Sequence, residues 1–264
     1  MMRVFKQFFL FYCISVFLSM QPFPFKTMCD FKIGTLNING ARDCFKRASL
    51  YQLFKDKRLD ILFIQETHST LDNERDWKKE WGGDVFLSHK SFNSGGVGIL
   101  FSNNFKPVSY NEEVVVEGRL LKVKTQYEDV KMFFIDIYAP TKGTERLLFL
   151  DTLGEVISQC DSDEYLFLGG DFNCTEDSRL DRNHLEPHPA SLRRLTRLTA
   201  SCELRDVWRS FHGIQKQYTW AHTKDNVLSL ARLDRFYCFK HHLNIFRSSF
   251  FIPVGFTDHC MVHC

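Results

Sequence analysis

The sequence predicts an α/β protein in which two packed mixed β-sheets are flanked by helices. Three observations carry that prediction. Short β-rich runs recur along the chain. Helical patterns lie between some of them, and hairpin-like pairs of runs separate others, which favours layered sheets over a bundle or a barrel. From residue 30 onward there is no repeat, low-complexity tract or linker, so one domain is the economical reading. The chain has 264 residues, 44% hydrophobic and 25% charged, enough to bury a sizeable core and unlike a wholly disordered polypeptide.

Taken in order, strands are expected over 31–36 (FKIGTL), 61–64 (ILFI), 85–88, 98–101, 120–125, 132–138 (MFFIDIY) and 165–168 (YLFL). Helices are expected over 46–55, over 145–160 with Thr144 as N-cap, and over 191–200, where Leu192, Leu195 and Leu198 share one side. Later strands are expected over 217–220, 233–239, 250–254 and from Cys260 onward, the last of them short or truncated.

Residues 1–29 contain no acidic residue and run from Arg3 and Lys6 into an apolar stretch between Phe8 and Met20. The stretch is shorter than the roughly 20 apolar residues of a membrane span. It has the make-up of a signal-peptide core without a convincing small-x-small cleavage site. The expectation is an apolar N-terminal extension outside the fold, with the domain at 30–264. A secretory or membrane role for residues 1–27 stays open beside it. The nine cysteines are odd in number, scattered and without a CxxC, which suits reduced thiols in a reducing compartment. The tail His259-Cys260-x-x-His263-Cys264 is not read as a zinc site, because alternate strand residues point to opposite faces. Net charge is 34 − 32 = +2, so nucleic-acid binding would need a local basic surface.

Polar residues stand repeatedly at the ends of apolar strands: Asn37, Glu66, Tyr138, Asp171 with Asn173, the pair Arg232 and Asp234, and Thr257-Asp258-His259. Singly, each is a turn, cap or rim residue. Together they supply carboxylate and amide oxygens, a phenol and a histidine on strand ends, where rigid scaffolds build sites. Such a set suits a hard cation such as Mg²⁺, with Mn²⁺ as a substitute, and the stabilisation of charge on phosphate oxygens.

The segments TLNING (35–40), IQETH (64–68), SGGVGILF (94–101), IYAP (137–140), LGGDFN (168–173), YTW (218–220), ARLDRF (231–236) and TDH (257–259) carry a resemblance. In order and spacing they resemble the motif series of the endonuclease/exonuclease/phosphatase superfamily, which includes apurinic/apyrimidinic endonucleases, exodeoxyribonuclease III and the endonuclease domains of LINE-type retrotransposons. That resemblance implies a four-layered α/β sandwich and a Mg²⁺-dependent phosphodiesterase acting on DNA. It implies catalytic roles for Tyr138, Asp171, Asn173, Asp234 and His259. Metal-side roles would fall to Asn37, Glu66, Asp171, Asn173, Asp258 and His259, Glu66 most directly. Asp234 would orient His259 and favour its charged form. Thr257 stands where the family usually has Ser and keeps a hydroxyl, whereas Ala231 replaces a usual Ser and removes one. His68, where repair enzymes more often show Lys, and LDRF after YTW resemble the retrotransposon branch.

DNA-contact candidates are His68, Arg193, Arg194, Arg197 and Arg232, the last of which would pair locally or contact DNA; on the helix over 191–200 the arginines lie largely opposite the leucines. DNA is thus the expected partner of a monomer located in the nucleus, with no small-molecule cofactor and no stable membrane partner. Two alternatives remain beside a DNA endonuclease: a phosphodiesterase of the same fold on a small or lipid phosphate, and an inactive retroelement remnant.

Overall fold

In the computed structural model, which describes residues 31–264, the strand-forming runs assemble into two mixed six-stranded sheets. The predicted N-terminal extension lies outside the described residues; the compact unit spans Lys32–Cys264.

The first sheet takes β1 (Ile33–Asn37), β2 (Ile61–Gln65), β3 (Val85–Ser88), β4 (Val97–Phe101), β13 (Phe250–Pro253) and β14 (Cys260–His263), in the order β13-β14-β1-β2-β4-β3. The second takes β5 (Ser109–Val116), β6 (Leu120–Tyr127), β7 (Val130–Tyr138), β8 (Tyr165–Asp171), β9 (Leu204–Asp206) and β12 (Asp234–Phe239), in the order β5-β6-β7-β8-β12-β9. A two-stranded ribbon, β10 (Trp220–Lys224) and β11 (Val227–Ala231), stands apart from both. The parallel pairs are β1–β2 and β7–β8, and each is joined by a helix, as a parallel connection requires. These helices are α1 (Cys44–Lys57) and α3 (Gly143–Ile157).

The helices form the two outer layers. Leu50, Tyr51 and Phe54 of α1, with Trp77 of α2 (Leu71–Trp81), pack on Leu36, Leu62 and Leu100 of the first sheet. Phe149, Leu153 and Val156 of α3, with Leu195 and Leu198 of α4 (Pro189–Ser201), pack on Ile135, Leu166 and Leu168 of the second. A short α5 (Val207–His212) follows β9. Between the sheets lies a layer of phenylalanines. Phe63 meets Phe134 and Phe236 edge-on at centroid distances of 6.1 and 5.4 Å, and Phe101 meets Phe134 at 5.6 Å. Such rings bury large area at favourable edge-to-face angles, which accounts for part of the phenylalanine excess. One buried polar tie crosses this apolar layer. Asp136 of β7 accepts from Gln65 Nε2 at 2.6 Å and from Gly98 N at 3.0 Å, and burial pushes its carboxyl well above the usual range.

The architecture is the predicted four-layered α/β sandwich. Two local expectations are corrected. The helix after IYAP begins at Gly143 with Lys142 as N-cap, so Thr144 is already inside its first turn. The strand expected over 217–220 begins only at Trp220, because the preceding Thr219 turns its hydroxyl inward to accept from Leu233 N and Asp234 N at 2.9 and 3.1 Å.

Candidate active site

Strand register sets the first row of the site. In the second sheet Tyr138, Asp171 and Asp234 are direct partners across β7, β8 and β12. In the first sheet Asn37 ends β1 opposite Gln65, and Glu66 follows at once. The sheets face each other, so the two rows meet. Asn37 Nδ2 donates to Glu66 Oε1 at 2.9 Å and to Asp171 Oδ2 at 3.0 Å, the latter across 134 positions of sequence. The third contributor, His259, stands just before β14. Thr257 secures it there: its hydroxyl donates to Asn37 O at 2.9 Å and accepts from His259 N at 3.3 Å. The hydroxyl kept at this position is therefore used.

Local backbone shape explains why these residue types occur here. Asn39, Glu66, His68 and Asn173 all have φ between 47° and 53°, a region uncommon for side-chain-bearing residues and often found at functional sites. Gly170, before Asp171, has φ 136°, and a Cβ there would lie 2.0 Å from Ile137 O. Only glycine lets β8 pass β7 and still deliver Asp171 in register.

The electrostatics divide the pocket in two. On one side His259 Nδ1 and Asp234 Oδ2 are 2.8 Å apart, both residues being buried. Burial opposes charge on the imidazole, but the bonded Asp234, together with the charges of Asp171 and Asp258, outweighs it and raises the pKa to about 9. His259 is thus an imidazolium at neutral pH, with Asp234 as its counter-ion. On the other side Glu66 and Asp171 converge on the single amide of Asn37. Burial, then the nearby Asp234, raises Asp171 to about 6. Burial, followed by the Glu66 and Asp171 charges, pushes the Tyr138 phenol above its usual range, so it stays a donor.

Among the described residues, Asp171, Asp234 and His259 are the one group of three or more His, Cys, Asp or Glu residues whose donor atoms lie within 4.8 Å of one another. A protonated histidine tied to Asp234 is a poor metal ligand. The chemistry of the donors favours the neighbouring Glu66 and Asp171 carboxylates, which Asn37 Nδ2 bridges while its carboxamide oxygen accepts from Asn39 N at 3.0 Å. There two buried or half-buried acids share one neutral donor, and oxygen donors suit a hard cation.

The remaining predicted residues are placed as follows. Asn173 Nδ2 donates to Ala139 O at 2.8 Å, and its backbone N donates to Asp171 Oδ1 at 2.8 Å. Asp258 is exposed at the rim, accepting from Trp220 Nε1 at 3.0 Å and from Asn39 Nδ2 at 3.4 Å. His68 turns inward, with Nε2 3.6 Å from Glu66 Oε2. Arg193 and Arg197 are exposed on α4, and Arg194 is paired with Asp151 of α3.

Arg232 takes the local-pairing role and not the DNA-contact one. It is 1% exposed, its Nε and Nη2 reach Asp181 at 2.8 and 3.1 Å, and Nη1 bonds Asp206. Arg232 and Arg235 outweigh burial and hold the Asp181 carboxyl well below its usual range. A guanidinium so buried and so fully paired is structural and is withdrawn as a DNA contact. Sequence reading gave no role to Thr219 and Trp220, although YTW marked them. Arg119, whose guanidinium lies 4.5 Å from the Tyr138 ring centroid, carries no motif signal at all.

Comparison with known proteins agrees with this picture. The sequence matches the Endonuclease/Exonuclease/phosphatase family over residues 34–259. It is 36% identical over 227 residues to the transposon TX1 uncharacterized 149 kDa protein of Xenopus laevis, covering 86% of this chain but only 17% of that protein's length. The fold resembles the AP endonuclease LMAP of Leishmania major (TM-score 0.73, 17% identity, 88% of this chain and 86% of that one). It also resembles an AP endonuclease of Archaeoglobus fulgidus (0.72, 19%, 88% and 98%) and the 3'-5' exonuclease NExo of Neisseria meningitidis (0.73, 18%, 88% and 98%).

Proposed function

Because the chain belongs to the Endonuclease/Exonuclease/phosphatase family, we propose that it is a divalent-cation-dependent DNA endonuclease that hydrolyses the phosphodiester backbone, of the kind carried by retrotransposons. The observation that carries this reading is the junction at Asn37, where carboxylates from two sheets meet beside an imidazolium. Glu66 and Asp171 would hold the cation through their carboxylate oxygens, with Asn37 Nδ2 bridging the two. When bound, Mg²⁺ supplies charge neutralisation on the phosphate oxygens, with Mn²⁺ as substitute.

The side chains divide the remaining tasks. His259, kept cationic by Asp234, faces the charge of the scissile phosphate. Asn173 Nδ2 and the Tyr138 hydroxyl are donors for its non-bridging oxygens, which gain charge as the pentavalent transition state forms. Asp171, raised to about 6 without a cation, is suited either to take a proton from the attacking water or to protonate the leaving oxygen, which lie in line on opposite sides of the phosphorus. Asp258 orders the rim through Trp220 and Asn39 rather than entering this cluster.

The test is nicking of supercoiled plasmid beside an abasic oligonucleotide. Wild type with Mg²⁺ or Mn²⁺ nicks, EDTA stops it, and Asp171→Ala lowers the rate by at least about 10³-fold. Intact plasmid from folded wild type with either metal would overturn the reading. Release of phosphate from a lipid or inositol phosphate instead would move it to the small-substrate branch.

A further inference from the structure

We propose that His68 is a positioning residue that fixes Glu66 for cation binding, rather than a contact to DNA; the inference deepens the reading above and rests on it. Glu66 carries two oxygens, and Asn37 Nδ2 already donates to Oε1 at 2.9 Å. The other oxygen, Oε2, faces His68 Nε2 at 3.6 Å, just beyond hydrogen-bond length. That Nε2 is buried and has no hydrogen-bond partner, and the histidine side chain is only 13% exposed. A carboxylate can only accept, so the Nε2 proton is what it requires, and a small approach completes the bond.

The ring is held for this purpose by glycine. A Cβ on Gly40 would lie 2.7 Å from His68 Nδ1, so the imidazole occupies the space a side chain would fill. Main-chain bonds lock the two loops together: Gly40 N donates to Glu66 O at 2.7 Å, Ala41 N to Thr67 O at 3.1 Å, and His68 N to Gly95 O at 3.0 Å. Glu66 and His68 are both left-handed, at φ 53° and 51°, with Thr67 between them. Two strained residues in three positions are retained where the surroundings over-determine them. Here they bring the Glu66 and His68 side chains together, while the Thr67 hydroxyl turns away to Ser69 Oγ at 2.8 Å. Partners that orient ligand side chains typically alter metal affinity by about 10- to 100-fold when removed.

Two measurements on the full chain test this. In metal-free protein, the imidazole ¹⁵N resonances of His68 shift when Glu66 is replaced in Glu66→Ala; resonances unmoved by that change overturn the proposal. In calorimetry without DNA, His68→Ala weakens Mn²⁺ binding by about 10-fold. His68→Gln recovers part of the loss, and Gly40→Ala, which crowds the ring, weakens binding in the same direction. The Mg²⁺ concentration for half-maximal nicking rises in parallel, and the plateau rate changes far less. Wild-type Mn²⁺ affinity in His68→Ala, or a lost plateau rate with affinity intact, overturns the proposal and assigns His68 to the substrate. Wild type that never nicks, yet shows the Glu66-dependent resonance shift, sinks the endonuclease reading and leaves the pairing of His68 with Glu66 standing.

Discussion

Asp234 acts through another residue. Its Oδ2 engages His259 Nδ1, its Oδ1 is buried without a partner, and its backbone N donates to Thr219 Oγ1 at 3.1 Å. A buried carboxylate with an unused oxygen is expensive, so its neighbour must hold positive charge to compensate. This gives the His259 pKa of about 9 its cause and makes it testable. In Asp234→Asn the shape survives and the counter-charge is gone, so burial dominates and the imidazole pKa falls to or below its ordinary value of about 6.5. NMR titration of His259 reads that fall directly. Nicking at pH 7.5 drops by about 10-fold or more in the same variant, in proportion to the lost imidazolium. A titration unchanged by the substitution would show that some other group charges His259. Arg232 shows the opposite use of buried charge: paired with Asp181 and Asp206, it ties β11 and β9 together and leaves nothing for a ligand.

Secondary-structure elements differ in how plainly the sequence announces them, and burial explains the difference. Strands β1, β2 and β4 are buried at every residue and read as apolar runs. Strand β5 is an edge strand exposed over its first six residues, SYNEEV, so it shows neither an apolar run nor clean alternation, and sequence reading passed over it. Helix α2 buries Trp77 alone, and the ribbon β10–β11 is mostly exposed, so both lacked a periodic signal. The site was legible because its chemistry stands at strand ends next to strong apolar runs. What sequence could not give was which oxygen meets which donor, since the contact of Asn37 with Asp171 depends on how two sheets face each other. Nor could it show that Arg232 is buried while Arg193 is exposed. Helix α4 follows from that distinction. Its N-cap His188 lies against Gly143, five residues beyond Tyr138 in sequence. Arg193 is exposed near that end, whereas Arg194 is already paired with Asp151. Arg193→Gln is therefore expected to reduce the slope of log Kd against log salt by about 0.9, one phosphate contact, in anisotropy with duplex DNA and EDTA. Arg194→Gln should change it less. Equal slopes for both variants and wild type would remove α4 from the DNA surface.

For the molecule as a whole, the site is a liability that a cation relieves. The two sheets are held together by the phenylalanine layer and by Gln65–Asp136, yet at their shared rim they converge on buried acids. Asp171 is raised to about 6, above its ordinary 3.8, so the folded state holds this proton more tightly than the unfolded chain. Folding is favoured below pH 3.8 by that group and loses the contribution as pH rises through about 6. His259, raised from 6.5 to about 9, stabilises fully below pH 6.5 and loses its share as pH rises through 9. Metal-free protein should accordingly lose thermal stability in two steps as pH rises, the first up to about 6 and the second up to about 9. A cation at Glu66 and Asp171 binds the deprotonated carboxylate and competes with the first of these protons. The rise in Tm on adding Mg²⁺ should therefore be small at pH 5 and grow as pH passes about 6. A concentration a hundred times Kd stabilises the folded state by about 2.7 kcal/mol. In Asp171→Asn the increment should be smaller and lose its dependence on pH near 6. Thermal melts across pH 5 to 8, with and without Mg²⁺, make the comparison, and an increment independent of pH in the wild type would place the cation away from Asp171.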